Sequence, residues 1–184
     1  PGDNVNMGIG QGDLLVTPLQ LATAANVIAN RGRWVRPSLL LASDGQLVEL
    51  VENDPPPPMP DVSGPTPDDW ERIVDAMEAV VHRNEGYQQN GTAWAYIGRD
   101  IGYRMAGKSG TAQVVEIRQG EEYDEEELDE YSRKHAWFIA FAPADDPSIA
   151  VCVLVENGGG GSSVAGPVAR EVIDAYLLPQ LAAR

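Results

Sequence analysis

The chain contains two segments in which apolar residues recur at helical spacing, and both begin with the same signal. Thr17-Pro18-Leu19-Gln20 and Thr66-Pro67-Asp68-Asp69 place a threonine N-cap before a proline at the first helical position. From Leu19 to about Asn30 apolar residues surround the whole helix, which predicts burial on all sides. The second helix is apolar on one face only, and that face consists of Trp70, Ile73, Val74, Met77, Val80 and Val81.

The second half of the chain contains three strand-like segments and a final helix. The strands are predicted from Tyr103 to about Val115, from Ala136 to Ala142 and from Ile149 to Val155. The last two are apolar on both faces, so we expect them to lie centrally in a sheet that is covered on both sides. A helix from about Val164 to Leu178 should pack across the sheet through Val164, Val168, Val172, Ile173, Tyr176 and Leu177.

Turn-forming and charged segments separate these elements. A hairpin is predicted around Ser43-Asp44-Gly45-Gln46, a polyproline crossing from Pro55 to Pro60, and a glycine loop from Gly158 to Gly161. Eight acids among the ten residues from Glu121 to Glu130 indicate a solvated connection, with a cation or a basic partner as the alternative. Together the elements predict an α+β fold, in which helices pack on an antiparallel sheet.

Composition narrows the functional classes. The chain has 13 lysine and arginine residues against 28 aspartate and glutamate residues, a net charge of −15, so nucleic acid is not expected as a partner. The single cysteine, Cys152, excludes an internal disulfide and a cysteine-rich zinc site, and should be a small buried apolar residue. His82 and His135 are interpreted as a helix C-terminal cation and a strand cap, so no metal and no cofactor is predicted.

Lys108-Ser109-Gly110-Thr111 is the strongest local indication of chemistry, because the chain has only one other lysine, Lys134. In a strand, Ser109 and Thr111 point to one face and Lys108 to the other, so a ligand that touches all three must lie along the strand edge. Gly110 removes a side chain where that approach is closest. Two hydroxyls and an ammonium suit a carboxylate-bearing, peptide-like ligand that binds as an added strand. The alternative is a Ser/Thr-rich edge strand with a solvated lysine.

Two further motifs are open to more than one interpretation. Gly8-Ile9-Gly10-Gln11-Gly12 suggests a phosphate cradle, but it lacks the Gly-x-Gly-x-x-Gly spacing and a Walker lysine, so nucleotide binding is not predicted. Trp94, Tyr96 and Tyr103 precede the motif strand and are candidates for ligand contact. We expect them instead to pack beneath the strand.

Taken in order, several segments resemble the C-terminal part of the transpeptidase domain of class B penicillin-binding proteins, most closely the elongation-specific members. The lysine motif is similar to the third signature motif, Lys-Thr/Ser-Gly, of penicillin-binding proteins and serine β-lactamases. No single element is specific, but the ordered set is, and it spans essentially all of residues 1–184. The other matching segments are Gly8 to Gly12 before Thr17 to Gln20, Asn90-Gly91-Thr92-Ala93, Trp137 to Pro143, and Val153 to Gly159.

The resemblance implies a β-lactamase/transpeptidase-like fold of which residues 1–184 form the C-terminal portion only. The family needs a nucleophile in Ser-x-x-Lys and a proton relay in Ser-x-Asn or Ser-x-Asp, and no serine of this chain has either pattern. In the family both motifs precede the glycine-rich segment, so the nucleophile-bearing portion and the membrane anchor are expected outside this chain. The chain alone is therefore predicted to be inactive, with a sheet edge and an apolar face uncovered.

By resemblance, the chain supplies one wall of the active site of a serine-type D-Ala-D-Ala transpeptidase. Lys108 and Thr111 would be catalytic: Lys108 relays a proton to the leaving amine, and the Thr111 N–H forms half of the oxyanion hole. Ser109, Gly110 and Thr111 would bind substrate, with the two hydroxyls holding its terminal carboxylate.

The partners implied by the resemblance are peptidoglycan stem peptides, β-lactam antibiotics and membrane proteins of the elongation machinery. The implied location is the periplasmic face of the bacterial inner membrane. One alternative from a different functional class stays open: a non-catalytic module that binds peptide strands or scaffolds the cell-wall machinery.

Overall fold

The helices begin where the sequence signals lie. The computed structural model describes residues 15–37, 42–43, 46–47, 61–86, 88–114 and 129–183. Helix α1 (Pro18–Ala29) and helix α2 (Pro67–His82) each begin with a reciprocal capping box. At α1 the Gln20 N–H donates to Thr17 Oγ1 at 3.2 Å, and the Thr17 N–H donates to Gln20 Oε1 at 2.8 Å. An equivalent pair of bonds closes the start of α2, so both predicted starts are confirmed.

The strands form two antiparallel sheets. A two-residue pair, β1 (Ala42–Ser43) with β2 (Gln46–Leu47), confirms the predicted hairpin. The main sheet has the order β3-β4-β5, in which β3 is Ala106–Ala112, β4 is His135–Ala142 and β5 is Ile149–Val155. The last two strands match their predicted bounds to within one residue.

Helices cover both faces of the main sheet, and the side chains of β4 alternate between them. Helix α3 (Gly166–Ala182) follows one turn of π-helix at Gly161–Ala165 and packs against the face that carries Phe138. The opposite face carries Phe141, which packs with Ala29 of α1 and with Val74 and Met77 of α2. This arrangement confirms the α+β prediction and places β3 between α2 and the loops around α3.

Strand β3 begins later than the sequence pattern predicts. Tyr103 and Met105 are buried, but the Met105 N–H donates to His82 Nε2 at 2.9 Å and not to a neighbouring strand. These residues are apolar because they pack against helices. The predicted strand start at Tyr103 was therefore wrong.

Helix α1 is not buried on all sides, contrary to the prediction. Only Ala25 and Ala29 are buried, and Leu19 is 61% exposed. In the described part of the chain, α1 packs mainly against β4 and β5, so its other faces are open. The apolar residues around α1 therefore predict more burial of this helix than the described residues provide.

Strand β5 lies at the edge of the described sheet and pairs with β4 alone. Helices α1 and α3 cover its two faces. The prediction of cover on both sides is confirmed for β5, whereas its predicted central position was wrong for the described residues. The apolar residues on both faces reflect two helix layers and do not require two neighbouring strands.

Helix α3 packs through only part of the predicted face, since Ile173 and Leu177 are buried and Val164 packs against the core. The buried ridge is formed by Ala165, Ala169, Ile173 and Leu177, whereas Val168, Val172 and Tyr176 are exposed. A Cβ on Gly166 would lie 3.6 Å from the Phe138 ring, so the start of the helix lies beside the sheet at ordinary contact distance. The helix and the turn before it therefore bury two alanines in place of the larger valines of the predicted face.

Three predicted features lie outside the described residues. These are the glycine-rich segment 8–12, the proline run 55–60 and positions 121–128 of the acidic run.

Candidate active site

A cleft of about 930 Å³ runs along β3 and contains the whole lysine motif. Its walls include Lys108, Ser109, Gly110 and Thr111. The described residues on the other walls come from the start of α1, the turn before β3, strand β4 and the loop after β5, and include Leu15, Thr92, Tyr96, Trp137 and Ser162. The structure thus brings the four motif residues together in one cleft.

The strand register divides the motif between two faces, as predicted. Lys108 lies opposite Ile139, while Ser109 lies opposite Phe138, and directly opposed residues point to the same face of a sheet. Ser109 and Thr111 therefore share the face that α3 covers, and Lys108 points to the face that α1 covers. The Lys108 ammonium donates a hydrogen bond to the carbonyl oxygen of Ser109, which keeps it beside the strand edge.

Gly161 allows the loop after β5 to contact the backbone of the motif strand directly. A Cβ on Gly161 would lie 2.5 Å from the carbonyl oxygens of both Gly110 and Trp137. Real Cβ atoms do not approach backbone oxygens so closely, so only glycine fits there. The loop therefore packs against β3 through the contact of Gly161 with Gly110. The next two residues, Ser162 and Ser163, line the cleft.

The turn that precedes β3 is held on the end of α2 by the Asn90-Gly91-Thr92-Ala93 segment. The Gly91 N–H donates to Arg83 O at 2.8 Å, and the Ala93 N–H donates to Val80 O at 2.9 Å. A Cβ on Gly91 would lie 2.1 Å from Ala79 O, so this contact also requires glycine. One turn of π-helix (Trp94–Gly98) follows and presents Tyr96 to the cleft.

The three aromatic residues of this region have different roles, and the prediction that all pack beneath the strand was wrong for Tyr96. Tyr96 lines the cleft and is 55% exposed. Trp94 stacks under Arg99, whose guanidinium carbon lies 4.9 Å from the ring centroid. Tyr103 is buried as predicted. Aromatic composition did not distinguish these roles, because they depend on the π-helical turn.

An ion pair on α3 ties this turn and Tyr103 to the rest of the domain. The Tyr103 hydroxyl donates to Asp174 Oδ1 at 2.6 Å, and Arg170 Nε donates to Asp174 Oδ2 at 2.7 Å. Arg170 Nη1 also donates to Ile97 O at 2.7 Å. Burial, followed by the bond to the Asp174 carboxylate, raises the pKa of Tyr103 well above its ordinary value, so Tyr103 remains a neutral donor.

His82 is a neutral acceptor, so its interpretation as a helix C-terminal cation was wrong. Its Nε2 accepts the Met105 N–H directly before β3, which requires an unprotonated nitrogen. Burial lowers the pKa of His82, and the opposing effect of Glu78 is smaller. His82 therefore couples the end of α2 to the start of the motif strand in its neutral form.

This coupling predicts a pH-dependent stability. Because the pKa of His82 is lower in the folded state than its unfolded value of about 6.5, stability should be full above that pH and should fall as the unfolded chain takes up the proton. We expect His82→Gln, whose amide oxygen can accept the same N–H without titrating, to remove this component. Urea unfolding of the full-length protein at pH 7.5 and 5.5 measures it, and an equal fall in both proteins would contradict the assignment.

The second histidine and Asn157 fix the start of β4, which confirms the strand-cap interpretation of His135. The Asn157 N–H donates to His135 Nδ1 at 2.9 Å. The Asn157 side chain donates to Tyr131 O at 2.9 Å and to Arg133 O at 3.1 Å. The end of the connection that enters β4 is therefore held against the end of β5. Within the described ranges, no cluster of three histidine, cysteine or acidic residues could hold a metal ion.

The sequence profile of the penicillin-binding protein transpeptidase domain matches residues 2–174. The chain belongs to the penicillin-binding protein transpeptidase family. This membership agrees with the resemblance and with the placement of the lysine motif on an edge strand beside a cleft.

Relatives and solved structures place the chain near the penicillin-binding protein 2 group. It is 42% identical over 183 residues to the peptidoglycan D,D-transpeptidase MrdA of Haemophilus influenzae, covering 98% of this chain and 27% of the relative. The crystal structure of Pseudomonas aeruginosa PBP2 in complex with WCK 5153 superposes with a TM-score of 0.76 and 43% identity, covering 97% of this chain and 34% of that one. The chain therefore spans about a quarter to a third of the length of these proteins.

Two further structures carry informative ligands or partners. The complex of PBP2 with MreC from Helicobacter pylori has a TM-score of 0.64 and 27% identity, covering 96% of this chain and 28% of that one. The penicillin G acyl-enzyme complex of penicillin-binding protein A from M. tuberculosis has a TM-score of 0.60 and 29% identity, covering 94% and 34%.

Proposed function

We propose that residues 1–184 are the C-terminal portion of the transpeptidase domain of a serine-type peptidoglycan D,D-transpeptidase. The observation that carries this proposal is the cleft along β3, which presents Lys108, Ser109, Gly110 and Thr111 together in a chain of this family. The chain supplies the strand wall of the active site. The nucleophilic serine comes from a part of the protein outside these residues, since no serine here has the Ser-x-x-Lys pattern.

The reaction proceeds in two acyl-transfer steps. The serine oxygen attacks the carbonyl carbon of the penultimate D-Ala of a stem peptide, and the peptide bond to the terminal D-Ala breaks. The leaving nitrogen takes a proton, and an ester joins the serine to the stem. An amine from a second stem then attacks this ester, loses a proton and forms the cross-linking peptide bond, which restores the serine hydroxyl.

The motif residues act at defined points of this sequence. Lys108 relays the proton to the leaving nitrogen and supplies positive potential. The Ser109 and Thr111 hydroxyls hold the terminal carboxylate, and Gly110 lets the ligand approach the strand edge. The Thr111 N–H provides half of the oxyanion hole, a type of donor whose loss typically costs about 10²–10³ in rate. β-Lactams occupy the same edge and acylate the same serine.

The proposed partners and location follow from the relatives. Stem peptides are the substrates, and β-lactams are inhibitors, an assignment supported by the penicillin G acyl-enzyme complex of a related protein. The MreC complex of a related PBP2 supports partners in the elongation machinery. We place the reaction at the periplasmic face of the inner membrane. None of the helices in the described part of the chain is long and apolar enough to cross a bilayer.

Labelling with a fluorescent penicillin tests the proposal. The full-length protein should become covalently labelled, and peptide mapping should place the label on a serine outside residues 1–184. Pretreatment with unlabelled penicillin G should abolish the signal. A folded full-length protein that does not label would overturn the enzymatic proposal and favour the non-catalytic, peptide-binding alternative.

A further inference from the structure

The cleft has two chemically different sides. On one side lie Lys108 and the apolar side chains at the start of α1. On the other side, six hydroxyl-bearing residues line the cleft from three separate elements. The Ser163 hydroxyl donates to Gly160 O, and the other five form a set of their own. We call this set the hydroxyl wall, and it consists of Thr92, Tyr96, Ser109, Thr111 and Ser162.

The hydroxyl wall lies on the face of β3 that α3 covers. Ser109 and Thr111 point there because Ser109 lies opposite Phe138 in the register. The turn that carries Tyr96 packs on the same side, since Ile97 belongs to the hydrophobic cluster of Phe138. Ser162 directly follows Gly161 in the loop after β5. A Cβ on Gly166 would lie 3.6 Å from the carbonyl oxygen of Gly161 and 3.6 Å from the Phe138 ring, so Gly161 lies on the same side of the sheet as Phe138.

The residues of this wall are held in place, but their hydroxyls are not engaged by the described part of the chain. None of the five side-chain hydroxyls makes a hydrogen bond to another described residue. The Tyr96 ring is 55% exposed although its turn is fixed by Gly91 and by the bond from Arg170 to Ile97. Ser162 is fixed by the backbone contact of Gly161 with β3.

We propose that Tyr96 and Ser162 form a specificity-determining subsite for the uncharged, amide-bearing side chain of the acylating ligand. This inference rests on the proposed function. A hydroxyl both donates and accepts, so it matches an amide N–H or C=O, and a fixed aromatic ring offers a flat surface to an adjoining apolar group. Lys108 is the only charged residue among the described residues of the cleft, so the subsite suits neutral chemistry.

The subsite can be separated from the catalytic motif by comparing two β-lactams on the full-length protein. Penicillin G carries a phenylacetyl amide side chain, whereas 6-aminopenicillanic acid has the same nucleus and carboxylate but a free amine. Second-order acylation constants for both are measured by competition with a fluorescent penicillin. The ratio of the two constants reports contact with the side chain, and a change of overall stability does not move it.

Tyr96→Ala and Ser162→Ala should each lower the acylation constant for penicillin G about five- to tenfold, the effect of one neutral contact. The constant for 6-aminopenicillanic acid should change less than about twofold. Ser162→Thr should restore the ratio because it keeps the hydroxyl, and Tyr96→Phe should keep the ring contribution. Tyr131→Ala and Ser148→Ala, which lie outside the cleft, serve as matched controls.

Unchanged ratios in both alanine variants, or equal losses for both compounds, would overturn the inference. If an alanine variant does not fold, the conservative variant at the same position, Ser162→Thr or Tyr96→Phe, is used to test the inference. Its ratio of the two acylation constants is then compared with the expectation given for it above. Failure of the proposed function is distinguishable, because the unaltered protein would then react with neither compound.

Discussion

Replacing Lys108 by alanine in the full-length protein should lower the second-order rate of acylation by a fluorescent penicillin about 10²- to 10⁴-fold, the range for loss of a proton-transfer group. Lys108 lines the cleft and its ammonium lies beside the strand edge, so its removal takes away both the proton relay and the local positive charge. The melting temperature should change little, since Lys108 is exposed.

The chain offers a matched control for this prediction in its only other lysine. Lys134→Ala removes the same charge from a position outside the cleft and should keep acylation within about twofold. Lys108→Arg keeps the positive charge but transfers protons poorly, and should recover only a small part of the rate. Equal rates for the unaltered protein and Lys108→Ala would contradict the catalytic role proposed for this residue.

Gly161→Ala should lower the free energy of unfolding by about 1–3 kcal/mol and should also slow acylation. The added Cβ would lie 2.5 Å from two carbonyl oxygens, those of Gly110 and Trp137, and backbone cannot move aside as a side-chain tip can. The loop must therefore lift from the motif strand. Denaturant unfolding and penicillin labelling of the same variant measure the two effects together.

Gly102→Ala is the appropriate comparison. Gly102 lies before β3, has nothing within 4 Å of an added Cβ and has no positive φ, so the substitution should change stability by less than about 0.5 kcal/mol. If both variants were equally stable, the close contact between the loop and β3 would not be the reason for glycine at position 161.

The local features of the fold were predictable from sequence because they depend on short-range chemistry. The two Thr-Pro starts specify capping boxes within four residues, and both formed. The two apolar strands were bounded correctly because turn-forming residues flank them. Most of the predicted face of α2 is also buried, with Ile73 as the exposed exception.

Features that depend on how the helices pack against the sheet were not predictable from the pattern of apolar and polar residues. Helix α3 buries Ala169 together with Ile173 and Leu177 and leaves Val168 and Val172 exposed, an orientation that a count of large apolar residues does not predict. The lowered pKa of His82 follows from its burial, which depends on segments distant in sequence, such as the one that contains Met105. The sequence of strand β5 suggests a central position because two helices cover it, although β4 is its only described neighbour.

Only the part of the candidate site that lies on a single strand, β3, was predictable from the sequence. The four motif residues are consecutive, so alternation along a strand was enough to place them. Tyr96 and Ser162 reach the same cleft from segments 12 residues before and 54 residues after Lys108, by count along the sequence. Tyr96 was a candidate for ligand contact in the sequence, but packing beneath the strand was preferred for it. The serine pair directly after the glycine loop could not be assigned to the cleft without the contact of Gly161 with β3.

The ion pair between Arg170 and Asp174 connects the C-terminal helix α3 to the segment that lines the cleft. Through Ile97 and Tyr103 this pair fixes the segment on which Tyr96 stands, far from the end of the chain in sequence. A premature stop codon shortly before the codon for Arg170 would thus disrupt the ligand-binding cleft as well as remove the helix that covers the sheet. In a genetic screen, late nonsense alleles should fall in the same phenotypic class as alleles in the lysine motif.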